Sequence, residues 1–197
     1  FRLSYDELSG TVEGAPAGSD GLVLLPYFEG ERTPNLQDAT GIFYGVNSRT
    51  FDARHFTRAA MEGVTLGMNY GLNRMRSLGI KPAQIRLTGG GSKNAAWRQI
   101  AADVFDAEVV CLEMDEGAAY GAALQAMWTC RKVNGERTSI QEITDRHVKV
   151  DIGTLTRQKP ANVEVYRELQ RIQDSVSSAL KKTFTMHRRF LTEHGAS

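Results

Sequence analysis

Between residues 84 and 130 the apolar pattern switches repeatedly between strand and helix periods, and this alternation limits the fold more than any other feature. Residues 84–88 (Gln-Ile-Arg-Leu-Thr) read as a strand, Gly89-Gly90-Gly91-Ser92 as a turn and residues 94–105 as a helix. Residues 108–112 read as a second strand, followed by a helix over 116–130. A strand and helix alternation of this kind predicts an α/β layer with parallel strand pairing. Upstream, the apolar run at 22–25, stopped by Pro26, and residues 42–46 are strand candidates separated by a polar loop at 29–35. A short helix is expected over 5–8, then a small-residue linker from Gly14 to Asp20.

The longest element is a helix over 52–78. Phe56, Ala60, Val64, Met68, Leu72 and Met75 recur at spacings of three and four, interleaved with Arg54, Arg58, Glu62, Arg74 and Arg76. Asp52 or Thr50 is placed to cap its start and Gly79 to stop it, giving a rod roughly 40 Å long. Residues 131–160 are expected to be irregular because they are polar, and 161–184 to form an amphipathic helix through Val165, Leu169, Ile172, Val176 and Leu180.

Charge is nearly balanced, with Lys+Arg 24 against Asp+Glu 23, which argues against a strongly basic nucleic-acid binder. No apolar run approaches the ~18 residues a membrane span needs. Cys111 and Cys130 lie in no C-x-x-C pair, and His55, His147, His187 and His194 are scattered singly. Neither a disulfide framework nor a zinc site is therefore expected, and a reducing, cytoplasmic setting fits best. The opening residue is Phe1, with no n-region and h-region behind it, which suggests a piece of a longer polypeptide without a signal peptide.

The 19 glycines exceed the roughly 14 that average usage of ~7% would give, and eight of them cluster. Gly63, Gly67 and Gly71 form a stripe on the long helix; at roughly 1 kcal/mol each against Ala, they imply close packing as an offset. Gly117 and Gly121 make a second smooth face, read mainly as packing. Gly89, Gly90 and Gly91 open a helix, where backbone N–H groups and the positive helix end suit a phosphate. The P-loop pattern fails because Lys93 is followed by Asn94, and the dinucleotide pattern fails because Asn94 replaces its third glycine. Ser92 could cap the helix, and Asn94, on the first turn, could present its amide to a purine or ribose edge. A tight turn without a ligand fits the spacing equally well.

Several segments together resemble the C-terminal domain of the FGGY family of carbohydrate kinases. They are Leu25-Pro26-Tyr27, Gly30-Glu31-Arg32-Thr33-Pro34, Gly41-Ile42-Phe43-Tyr44-Gly45-Val46, Arg58-Ala59-Ala60-Met61-Glu62-Gly63, Thr88-Gly89-Gly90-Gly91-Ser92, the stretch 97–105 and the stretch 116–123. The G-E-R-T-P segment is most similar to the xylulokinase branch. The resemblance implies an α/β, actin-like, ribonuclease-H-like ATPase domain, with a mixed sheet flanked by helices and ATP held in a cleft between two related domains. It assigns nucleotide contacts to Gly89, Gly90, Gly91 and Asn94. It places the catalytic Asp, the phosphate loop and the Mg²⁺ ligands in an N-terminal domain, so no catalytic residue and no metal ligand is expected here.

On that basis, residues 1–20 are a lead-in, 21–130 the nucleotide-side core, 131–185 an irregular segment with a packing helix, and 186–197 a tail. The expected whole is an ATP-dependent kinase of a pentulose such as xylulose, with these 197 residues inactive alone. A sister kinase of glycerol, ribulose or gluconate, and a non-catalytic nucleotide-binding or interaction module, remain alternatives. Partners are ATP and a sugar, without nucleic acid or membrane, and an exposed cleft face is compatible with a homodimer.

Overall fold

The computed structural model describes residues 5–114 and 117–195. Twelve elements follow in order among them: α1 (Tyr5–Glu13), β1 (Val23–Leu25), β2 (Ile42–Tyr44), α2 (Ala53–Ser77), β3 (Gln84–Leu87), α3 (Ala95–Phe105), β4 (Glu108–Leu112), α4 (Gly117–Val133), α5 (Ile140–His147), β5 (Val150–Thr156), α6 (Pro160–Ala179) and α7 (Lys181–His194). β3 pairs with β4 in parallel across the α3 crossover, as the alternation implies, and β5 adds an antiparallel strand on the far side of β4. β1 and β2 form a separate antiparallel ribbon whose inner strand is fully buried. The α/β architecture with a mixed sheet flanked by helices is the expected one.

α2 begins where expected, because the Asp52 carboxylate accepts from the N–H groups of Arg54 and His55. It ends at Leu78, followed by Gly79 at φ 90°. Its buried face, however, is not the stripe read from the sequence. Ala59, Glu62, Gly63, Leu66, Asn69 and Leu72 point inward, while Met68 and Met75 are exposed and Phe56, Ala60 and Val64 half-buried. The core on this side is joined by polar side chains, which apolar periodicity does not register.

Glu62 is the clearest case. It is 1% exposed, and its carboxylate accepts from the Gly18 N–H (3.0 Å), Ser19 Oγ (2.8 Å), Arg58 Nε (2.6 Å) and Tyr166 Oη (2.7 Å). Arg58 also donates to the carbonyls of Val12 and Ala15 and to Tyr166 Oη, so α1, α2 and α6 meet at one knot. Burial, and then the neighbouring Glu62 charge, push the Tyr166 hydroxyl well above the usual tyrosine range, which keeps it a donor. The expected linker is a tight turn in which Gly18, Ser19, Asp20 and Gly21 all have positive φ (82°, 48°, 50° and 87°). Left-handed Ser and Asp cost about 1–2 kcal/mol each; the bond to Glu62 holds Ser19 there, and His55 Nε2 meets the Asp20 carboxylate at 3.3 Å.

Further along the same seam, Asn69 Nδ2 donates to Gln170 Oε1, and Gln173 Nε2 bridges the carbonyls of Leu24 and Gly63. At the other end of α6, the buried Asp103 of α3 accepts from the Lys159 N–H, one main-chain donor of the α6 N-terminus, and from the Asn162 side-chain Nδ2.

The region expected to be irregular is ordered. α5 starts with a capping box in which Ser139 and Glu142 satisfy each other's N–H groups, and β5 follows it. α1 runs on from the expected 5–8 to Glu13. The single terminal helix expected over 161–184 is two, broken at Leu180, and the segment expected as a tail is helical through His194. Phe184 of α7 packs with Leu25, Tyr27, Leu36 and Ala39, so α7 pins the polar loop after Tyr27 to the ribbon. Inside that loop Glu31 Oε1 accepts from the N–H groups of Arg32 and Thr33.

Candidate functional site

At the C-terminal end of β3 the chain must turn sharply to start α3. Gly89 takes φ 85° and ψ −178°, a conformation essentially restricted to glycine. Residues Gly90–Lys93 then make one 3₁₀ turn, closed by the Ser92 N–H and Ser92 Oγ on the Gly89 carbonyl (3.1 and 2.7 Å). Gly91 lies against the face of Trp97, where a Cβ would come within 3.2 Å of two ring carbons. The Trp97 indole N–H is in turn fixed by Thr65 Oγ1 of α2 at 3.0 Å.

The helix cap is Asn94, not Ser92. Asn94 lies just before the first turn, and its Oδ1 accepts from the Trp97 N–H at 3.0 Å. Ser92 cannot serve because its hydroxyl is turned back onto Gly89. At 3% exposure, Asn94 faces the protein more than the solvent. Gly89 and Gly90 are exposed, and no acidic residue sits in the first turn of α3 to oppose an anion.

α4 begins directly beside this turn, since a Cβ on Gly117 would come within 3.1 Å of Thr88 Oγ1. Ala118, Ala119, Gly121, Ala122 and Ala123 are exposed there, leaving a shelf of small residues next to the turn. The packing role expected for this second glycine cluster therefore holds at Gly117 and fails at Gly121, which has open space around it. On α2 the stripe divides similarly. A Cβ on Gly63 would lie 2.5 Å from the Leu24 carbonyl oxygen, whereas Gly67 would make only an ordinary contact and Gly71 none.

The structure thus brings Gly89, Gly90, Gly91 and the start of α4 to one exposed edge, with Asn94 beneath them as the cap. Two supports escaped the sequence reading: Trp97, which hands the turn on to α2, and Asp103, which ties α3 to α6. Both lie in the stretch 97–105 that carries the resemblance, but only the packing of three helices gives their side chains partners. What the turn offers an anion is the positive end of the α3 dipole, while the Ser92 and Asn94 N–H groups close the turn on Gly89 and Gly91. Among the described residues no group of three or more His, Cys, Asp or Glu could hold a metal ion, and no helix is long and apolar enough to cross a membrane.

Residues 7–130 match the C-terminal domain of the FGGY family of carbohydrate kinases. The chain belongs to this family. It is 44% identical over 136 residues to a xylulose kinase of Haemophilus influenzae, covering 69% of this chain and 27% of that protein. The crystal structure of a ligand-bound xylulose kinase from Lactobacillus acidophilus superposes with a TM-score of 0.82 at 25% identity, covering 93% of this chain and 36% of the other. A gluconate kinase from the same organism gives 0.83 at 25% identity, over 94% and 36%. The chain spans about a third of the length of the relatives it matches, and its fold is that of the FGGY kinases, the actin-like ATPase fold.

Proposed function

We propose that this FGGY domain forms the nucleotide side of an ATP-dependent kinase that phosphorylates a pentulose of the xylulose type. The observation that carries the reading is the exposed Gly89–Gly91 turn at the head of α3, beside the small-residue start of α4. Phosphate oxygens would meet the turn N–H groups and the helix dipole, and the flat base would lie on the α4 shelf. Asn94 contributes by fixing the helix start beneath the turn. Among the described residues no cluster of His, Cys, Asp or Glu offers Mg²⁺ a ligand set, and the ion would come with the nucleotide phosphates.

Phosphoryl transfer depends on positioning and on electrostatic stabilisation of the transferred group. The resemblance assigns the proton-accepting Asp to another domain, so these 197 residues bind nucleotide and do not turn it over alone. Identity to xylulose kinases supports the pentulose; the equally good superposition on a gluconate kinase supports a sugar acid as the second reading. The test is ADP release with D-xylulose or gluconate, measured on the 197-residue chain and on the polypeptide expressed with whatever precedes Phe1 in its reading frame. Xylulose-dependent release by the longer polypeptide only is expected. Turnover by the 197 residues alone, or preference for gluconate in the longer form, would refute the corresponding part.

A further inference from the structure

The glycine turn has a support that comes from neither its glycines nor its cap. Arg98, on the first turn of α3, reaches back so that its Nη1 donates to the carbonyls of Ser92 (2.7 Å) and Lys93 (3.1 Å). The Ser92 carbonyl takes a second bond from Cys111 Sγ of β4 at 3.4 Å, which directs it firmly into the protein. A trans peptide points its C=O and N–H to opposite sides. Holding the Ser92 carbonyl inward therefore aims the Lys93 N–H away from the guanidinium.

Arg98 differs from Arg58, which is paired with Glu62, and shares with the half-buried Arg76 of α2 a setting of neutral acceptors. No carboxylate among the described residues pairs with Arg98, and its Nε is buried without a hydrogen-bond partner among them. Among the described residues the half-buried guanidinium donates to main-chain carbonyls beside the turn, where a cation adds to the dipole of α3.

We propose that Arg98 is the positioning residue of the phosphate-binding turn, holding the Ser92 and Lys93 carbonyls behind it and lending a positive charge to the site of a nucleotide di- or triphosphate. The inference rests on the reading of Gly89–Gly91 as the phosphate-binding turn. It goes further by naming the side chain that shapes the turn, and by requiring selectivity for phosphate over the nucleoside. A lysine could keep the charge, but its shorter stem carries a tetrahedral ammonium in place of the planar Nη1 group that donates to both carbonyls.

The test is an amide-resonance titration of the ¹⁵N-labelled 197-residue chain with MgADP and, separately, with adenosine, for wild type, R98M and R98K. In wild type, MgADP is expected to shift the Gly89–Lys93 resonances. R98M should bind MgADP about tenfold more weakly, or ~1.4 kcal/mol, with adenosine affinity within about twofold of wild type. R98K should fall between wild type and R98M. Unchanged MgADP affinity in the variants, with the turn still shifting, overturns the role of Arg98 and leaves the turn reading standing. Equal losses for MgADP and adenosine reduce Arg98 to a scaffold residue and also overturn it. A wild-type titration that leaves the turn unshifted overturns both readings. If R98M does not fold, R98K decides: wild-type MgADP affinity in that variant is the refuting result.

Discussion

Replacing Gly63 and Gly71 in turn by alanine should move stability in opposite directions, although the two lie eight residues apart on the same helix. Both are interior to α2, so each alanine gains about 1 kcal/mol in helix propensity. At Gly71 nothing lies within 4 Å of the added Cβ, so the gain is kept and the melting temperature should rise by about 2–4 °C for a chain of this size. At Gly63 the Cβ would sit 2.5 Å from the Leu24 carbonyl oxygen and 2.7 Å from Leu24 Cβ. Neither atom is the far end of a flexible side chain, and Leu24 is fixed in the buried strand β1. Relief requires α2 to lift from β1, and the Gln173 amide that bridges the Leu24 and Gly63 carbonyls would be strained with it. Overpacking of this kind costs typically 1–3 kcal/mol, and with the bridge disturbed the upper end applies. Less the propensity gain, G63A should lose about 2 kcal/mol, or about 4–8 °C. Thermal unfolding followed by far-ultraviolet circular dichroism on G63A, G71A and wild type measures both signs. If G63A melts as high as G71A, the close approach of α2 to β1 is not what demands glycine at that position.

Glu62→Ala should cost about 3–5 kcal/mol in urea unfolding, because it leaves the Arg58 guanidinium, only 13% exposed, without its carboxylate. Arg54 first, and then His55, hold the Asp52 carboxyl well below the usual carboxylate range. A lowered folded-state value means that this contribution is complete above the unfolded value of ~3.9 and is lost as pH falls toward and through the folded one. Asp52→Asn should therefore flatten the loss of stability below about pH 4, read as melting temperature against pH. Asn94→Ala should lower stability by about 1 kcal/mol through the lost cap. In a kinase that turns over, it should raise the KM for ATP more than that for sugar, and an unchanged KM for ATP would leave Asn94 with capping alone.

What the sequence made legible were the elements whose signals are local. Asp52 and Gly79 bracket α2 by capping chemistry alone, and the β3–turn–α3–β4 unit follows from a change of period. The failures were of another kind. The buried face of α2 was misassigned because Glu62 and Asn69 are interior, and their partners Tyr166 and Gln170 lie about a hundred residues away. Those partners neutralise a polarity that reads as solvent-facing in one dimension. α5 was missed although Ser139 and Glu142 form a readable capping box, because the polar stretch around it outweighed that local signal. β5 is half-exposed, with Ile152 facing outward, so it has no clean alternation to read. At the site, the glycines were recognisable. The choice of cap was not, because Ser92 and Asn94 are equally good capping residues until the 3₁₀ turn directs the serine hydroxyl back to Gly89.

The polar seam between α2 and α6 also limits how this domain can move. Helices joined by apolar side chains can slide by small increments, since one methyl contact substitutes for another. Here the Glu62, Asn69 and Gln173 bonds are spread along both helices, and a shift of one residue, ~1.5 Å, would break them together. Each buried group left unsatisfied would cost about 1–3 kcal/mol. Shear, one of the two general modes of domain rearrangement, is therefore unavailable across this pair, and what remains is rotation of an intact block. Because α3 is bolted to α6 through Asp103 and to α2 through Trp97, the glycine turn has to travel with that block as part of a single lever.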